Sequence, residues 1–84
     1  MSSAEIKSDT LTLLIANMYW AGADTKTRAL KISRTCKAVR NRTKDKVLYG
    51  ACKSIINAVS KGEYEKACMA MNKTMANYEF YYRA

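Results

Sequence analysis

Apolar side chains recur every three to four residues along most of the chain, which is the spacing of one face of an α-helix. The first such stretch stops at Gly22, and its face-forming positions are Ile6, Thr10, Leu13, Leu14 and Met18. Further apolar residues widen this surface beyond a single stripe: Leu11, Ile15, Tyr19 and Trp20. We therefore expect helix one to lie at the centre of the core or to share its surface with a second subunit.

A second stretch follows Asp24, a residue type that commonly caps helices. Its inward positions are Ala29, Ile32, Cys36 and Val39. Helix two is predicted to end between Asn41 and Lys44, and Thr43 or Asp45 can start a third helix. The inward positions of helix three are Leu48, Ala51, Cys52, Ile55, Ile56 and Val59. One uninterrupted helix over residues 24–59 is the alternative that this pattern leaves open.

The fourth stretch follows a predicted sharp turn at Gly62. Ser60 and Glu63 have the spacing of a capping box, as do Ser2 and Glu5 before helix one. The apolar positions of helix four are Tyr64, Ala67, Cys68, Met71, Met75 and Tyr78. Helices three and four should form an antiparallel hairpin. The chain has no proline and three glycines, so the prediction is an all-α fold: one domain over residues 1–84, a compact bundle of three to four helices.

Basic residues are concentrated in one segment of the chain. Between residues 26 and 46 nine basic residues stand against one acid, Asp45, so this segment accounts for the whole net charge of +8. The nine are Lys26, Arg28, Lys31, Arg34, Lys37, Arg40, Arg42, Lys44 and Lys46. Five of them, from Arg28 to Arg40, recur at intervals of three, which winds them across the solvent side of a helix. Because like charges at this spacing oppose helix formation, a surface of one sign indicates a polyanionic partner.

RNA is the partner that this pattern favours. Neutralised phosphates release counterions, and arginine can grip phosphate with two hydrogen bonds or stack on an unpaired base. The segment lacks the glycine turn of a helix-turn-helix, whereas helical arginine-rich segments suit RNA, and Asn41 and Thr43 could add hydrogen bonds to sugar or base. Two alternatives stay open: a helix that docks on an acidic surface of a host enzyme, and a solubilising surface with no partner.

The carboxyl-terminal run from Tyr78 to Arg83 contains four aromatic residues. Three interpretations apply to them: packing within the protomer, an interface with another subunit or partner, and stacking on bases. The chain is near the lower size limit for a fold that stands alone. A homo-oligomer is therefore an alternative to a monomer.

Catalytic and metal-binding patterns find no support in the sequence. Histidine is absent, the seven carboxylates are scattered, and no glycine-rich phosphate loop occurs, so we predict no enzyme, no cofactor and no metal. Cys36, Cys52 and Cys68 form no C-x-x-C pair and are predicted to be buried thiols in a reducing compartment. The longest apolar stretch, near residues 11–20, is too short for a membrane span. The expected location is the cytoplasm.

In length, charge and helical layout the chain resembles the small early proteins that T4-like phages make against host defences. The resemblance rests on the basic stretch from Lys26 to Lys46 and on the Met, Lys, Asn and Tyr usage common in such phages. It implies an RNA-binding antitoxin in the host cytoplasm that traps a toxin endoribonuclease in an inactive RNA–protein complex. The site residues that it carries over are the nine cations alone.

Overall fold

A computed structural model describes residues 3–84, and within this range all regular structure is helical. Four long helices are followed by a single helical turn. Their bounds are α1 Ser3–Tyr19, α2 Thr25–Arg42, α3 Lys46–Ser60, α4 Tyr64–Asn77 and α5 Glu79–Tyr82. Each of the other three long helices packs against α2, and α5 packs on α1 and α4. The predicted all-α bundle is confirmed, with α5 as an addition.

The chain breaks between α2 and α3, which excludes the continuous helix over residues 24–59. Asp24 caps α2 by accepting a hydrogen bond from the Thr27 amide at 3.2 Å, as predicted. Asp45 caps α3 in the same way, by accepting from the Leu48 amide at 3.0 Å. Thr43 supports this second start, because its hydroxyl accepts from the Asp45 amide. Local capping therefore ends α2 and begins α3 with only three residues, 43–45, between them.

The turn between α3 and α4 differs from its prediction. Ser60 is the last residue of α3, and its hydroxyl donates to the carbonyl of Asn57, so it forms no capping box with Glu63. Instead, α3 ends in a Schellman motif: the Glu63 amide donates to Ala58 O at 2.9 Å and the Gly62 amide to Val59 O at 3.0 Å. Gly62 adopts a φ of +75°, which glycine tolerates without steric cost. The other predicted capping box includes Ser2, which lies outside the described residues.

The core lies where α2, α3 and α4 meet. The apolar stripe predicted for α2 is fully buried, and the three cysteines are buried as predicted. The largest fully buried side chains include Leu13, Ile32, Leu48, Ile55 and Met71. Since α2 contributes to the core along its whole length, its opposite side is fixed in place as an outward surface.

Helix α1 is not at the centre of the core. Leu13 is the one large apolar side chain of α1 that is fully buried, whereas Ile15 is 65% exposed, Met18 67% and Tyr19 76%. The hydrophobic residues of α1 extend almost all round the helix, and only one flank has neighbours to pack against. The first of the two alternatives, a helix at the centre of the core, is therefore wrong, and the apolar surplus of α1 faces outward; the second, a surface shared with another subunit, stays a prediction.

The carboxyl-terminal aromatics divide between packing and exposure. Tyr78 is buried and its hydroxyl donates a hydrogen bond to the carboxylate of Asp45, which ties the end of α4 to the start of α3. Burial and this hydrogen bond raise the pKa of Tyr78 above its ordinary value. Tyr81 and Tyr82 are partly buried against the core. Phe80 is 82% exposed.

Candidate nucleic-acid interface

Arg28, one of the nine predicted RNA ligands, is partly buried and hydrogen-bonded to side chains of two other helices. Its guanidinium donates to the side-chain oxygens of Asn17 at 2.7 Å and Asn72 at 2.8 Å, and Asn17 donates to Asn72 at 3.2 Å. Its Nε is buried without a hydrogen-bond partner in the part of the chain that the structure describes. This arrangement joins α2 to α1 and α4. Arg28 therefore holds three helices together.

Arg42 is similarly engaged with α1. Its Nε lies 2.7 Å from Oδ1 of Asp9, a residue that is 7% exposed, and its terminal nitrogen donates to the hydroxyl of Thr12 at 2.8 Å. A carboxylate with so little access to water is costly unless it is paired. Asp9 is thus a partner for Arg42 within the chain, and this pairing accounts for the position of Arg42.

The other seven cations lie on the outer side of α2 and at its junction with α3. Within residues 3–84 none of them forms an ion pair; the three ion pairs are Arg42–Asp9, Lys66–Glu63 and Arg83–Glu79. We call these seven the basic face: Lys26, Lys31, Arg34, Lys37, Arg40, Lys44 and Lys46. Five of the seven therefore lie on α2 and two at its junction with α3, and Lys31, Arg34 and Lys37 line one depression.

Individual members of the basic face differ in exposure. Arg34 and Lys37 are exposed, whereas Lys31 and Arg40 are partly buried. The ammonium of Lys26 lies 5.8 Å from the ring centroid of Tyr64 on α4. Such a contact orients the amine while leaving its outer hydrogens accessible to phosphate.

A depression of about 500 Å³ occupies the middle of the basic face. Its polar lining is basic, from Lys31, Arg34 and Lys37, with the hydroxyl residues Thr27 and Ser33. Its lining also includes two apolar side chains, Leu30 of α2 and Val59 of α3, which we call the apolar floor. Leu30 is 44% exposed. Positive charge around an apolar floor suits a ligand that is anionic at its edge and flat and weakly polar in its body, as a nucleotide is.

Two aromatic residues that the sequence assigned to the general apolar surface of α1 are linked to this depression through Lys31. The ring centroids of Tyr19 and Trp20 are 4.9 Å apart, at an interplanar angle of 74°. The ammonium of Lys31, which lines the depression, lies 4.9 Å from the centroid of Trp20. The only sequence signal for this arrangement was the adjacency of two aromatics at the end of a helix.

A second depression, of about 830 Å³, lies along the outer side of α4. It has mixed charge, because Glu63 and Glu65 line it together with Lys66 and Lys73. Met69, which also lines it, is 64% exposed. This surface lacks the single sign of charge that defines the basic face.

The thiols and carboxylates offer no metal centre among the described residues. Cys36 and Cys52 lie side by side between α2 and α3, and their mutual hydrogen bond together with burial raises the pKa of Cys36. Cys68 is also buried, which raises its thiol pKa. Within residues 3–84 no helix combines the length and the apolar character needed to cross a membrane.

Comparison of the chain with known protein families, with curated proteins and with solved structures gives no match. The functional argument therefore depends on the geometry of the basic face.

Proposed function

We propose that this chain is an RNA-binding protein without catalytic activity, and that the basic face is its RNA-binding surface. The observation that carries the proposal is the segregation of charge. The acids that form ion pairs contact Arg42, Lys66 and Arg83, and none contacts the seven cations on and beside α2. A phosphate backbone supplies the missing counter-charge, and the release of its counterions supplies affinity.

RNA is favoured over duplex DNA by the shape of the surface. The basic face lies along a helix that is packed on three others, and the apolar floor at Leu30 and Val59 lies within it. A duplex presents phosphates and grooves, but few exposed ring surfaces, to such a floor. Unpaired nucleotides present both phosphates and rings.

The biological role that we propose is antitoxin or anti-defence activity during phage infection. In this role the protein would resemble the ToxIN-inhibiting factor TifA, and would inhibit a toxin endoribonuclease by forming an RNA–protein complex with it in the host cytoplasm. Only the length of the chain, its net charge of +8 and its basic segment support this assignment.

The experiment that tests RNA binding compares two variants with the same change in net charge. Arg34→Gln with Lys37→Gln removes two cations from the basic face, and Lys66→Gln with Lys73→Gln removes two from the outer side of α4. Affinity for a short labelled single-stranded RNA is measured at several salt concentrations. The logarithmic salt slope should become shallower by about 1.4 in the first variant, at about 0.7 per phosphate contact. It should not change in the second.

Each outcome has a definite meaning. Equal effects of the two variants would show that binding follows net charge alone and would refute the basic face as the site. An absence of salt-sensitive binding to single-stranded RNA, duplex RNA and duplex DNA would refute nucleic-acid binding altogether. In that case the alternative of an acidic protein partner becomes the proposal to test, by a pull-down that compares the same two variants.

A further inference from the structure

Tyr19 is an exposed aromatic residue that is connected to the basic face through Trp20. It lies at the end of α1 with 76% of its surface exposed. Trp20 stands edge-on to it, and Trp20 in turn lies under the ammonium of Lys31. Because Lys31 also lines the central depression, one cation joins the aromatic pair to the site proposed for phosphate.

We propose that Tyr19 and Trp20 form a stacking platform for an unpaired base, so that the protein binds single-stranded RNA in preference to duplex RNA. This inference rests on the proposed function. A flat exposed ring beside a row of cations has the two components of single-strand binding surfaces: stacking for the bases and positive charge for the backbone. Bases in a duplex are stacked on each other, and their faces are inaccessible to a protein ring.

Charge complementarity favours RNA over an apolar partner or a second copy of the chain as the occupant of this surface. An apolar partner would explain why Tyr19 is exposed together with Ile15 and Met18 of α1. It would leave Lys31 and Arg34 of the central depression without counter-charge. A nucleotide chain satisfies the ring and the cations together, with a base on Tyr19 and its flanking phosphates on Lys31 and Arg34. A second copy of the chain would carry the same positive charge and would be repelled from the basic face.

The test uses Tyr19→Leu, which removes the ring and keeps an apolar side chain. Phe80→Leu is the matched control, because Phe80 is also exposed but lies near the amino-terminal end of α1, beside Ser3 and Ala4. Fifteen helical residues separate that end from Tyr19, a distance of roughly 22 Å at about 1.5 Å per residue. Both variants are titrated with a single-stranded RNA and with a duplex of the same sequence.

We expect Tyr19→Leu to weaken binding of the single strand by between about 5- and about 150-fold, the range for one lost stacking contact. Duplex binding and the salt slope should not change. Tyr19→Phe should restore binding, since it keeps the ring. Trp20 is the only tryptophan, so its fluorescence should change when wild-type protein binds the single strand and change less with the duplex.

Three results would overturn the inference while leaving RNA binding intact: equal affinity of wild-type protein for single strand and duplex, equal loss of both in Tyr19→Leu, or no loss of either. A change in the sedimentation of the free protein in Tyr19→Leu, with the two affinities unaltered, would also overturn it and would assign Tyr19 to a contact between copies. Failure of wild-type protein to bind any RNA would refute the proposed function itself.

Discussion

Replacing Arg42 should destabilise the fold and leave the salt dependence of RNA binding unchanged. In Arg42→Met the Asp9 carboxylate, whose side chain is 11% exposed, loses a charged hydrogen bond of 2.7 Å, and Thr12 loses one of 2.8 Å. A charged hydrogen bond contributes about 1.5–3 kcal/mol. Because the Arg42 side chain is 49% exposed, solvent screening places the loss near the lower end, at about 2 kcal/mol.

The matched substitution is Arg34→Met, which removes the same group from an exposed position of the basic face. It should change the free energy of unfolding by less than about 0.5 kcal/mol and make the logarithmic salt slope shallower by about 0.7. Arg42→Met should lower the melting temperature by about 8–16 °C. Far-UV circular dichroism measures the melting, and RNA titration from about 50 to about 200 mM salt measures the slope.

The reasoning would be refuted if Arg42→Met melted like the wild type and bound RNA with a shallower slope. That result would place Arg42 on the RNA, as the sequence predicted. A double-mutant cycle with Asp9→Leu adds a direct test of the pair. If the two side chains interact, the double variant should be more stable than the sum of the single losses implies.

Three further substitutions test other parts of the structure. Arg28→Met should lower the free energy of unfolding by about 1–2 kcal/mol in urea titrations without weakening RNA binding. Gly62→Ala should destabilise the protein by about 1 kcal/mol, because Gly62 has a φ of +75°. Gly50→Ala, in the exposed interior of α3, should stabilise it by about 0.5–1 kcal/mol. Thermal melts of the two variants measure both changes. Tyr78→Phe should be less stable than wild type at neutral pH. The pKa of Tyr78 is raised in the folded protein, so the wild type alone loses stability as the pH rises above 10.0, the ordinary pKa of tyrosine, towards the pKa of folded Tyr78. The difference in the free energy of unfolding between the two proteins should therefore shrink over this pH range.

The sequence predicts the helices well, because their signals are local. The inward residues of α2 follow from a spacing of three and four, and the caps at Asp24 and Asp45 follow from residue type. The predicted start of α4, a capping box of Ser60 and Glu63, was wrong for a local reason as well. Two signals compete between Ser60 and Glu63, and the glycine that ends α3 at Gly62 prevails over the capping box.

The division of the nine cations is not predictable from α2 alone. Arg28 and Arg42 are fourteen residues apart, which places them within about 40° of each other around a helix. Both therefore point to the flank of α2 that meets α1. Their acceptors, however, are Asn17 and Asp9 of α1 and Asn72 of α4, and only the packed bundle brings these side chains to α2.

The placement of the acids explains why the basic face keeps its charge. Asp24 and Asp45 lie at helix starts, where their oxygens accept backbone amides, and Asp9 is bound to Arg42. These roles hold the carboxylates at the ends of α2 or on its α1 side, away from Lys31, Arg34 and Lys37 in the middle of the basic face. The remaining like charges repel each other at a cost of a few tenths of a kcal/mol per neighbouring pair. Added salt should relieve that repulsion in the free protein and weaken an RNA complex, because both effects arise from the same seven unpaired charges.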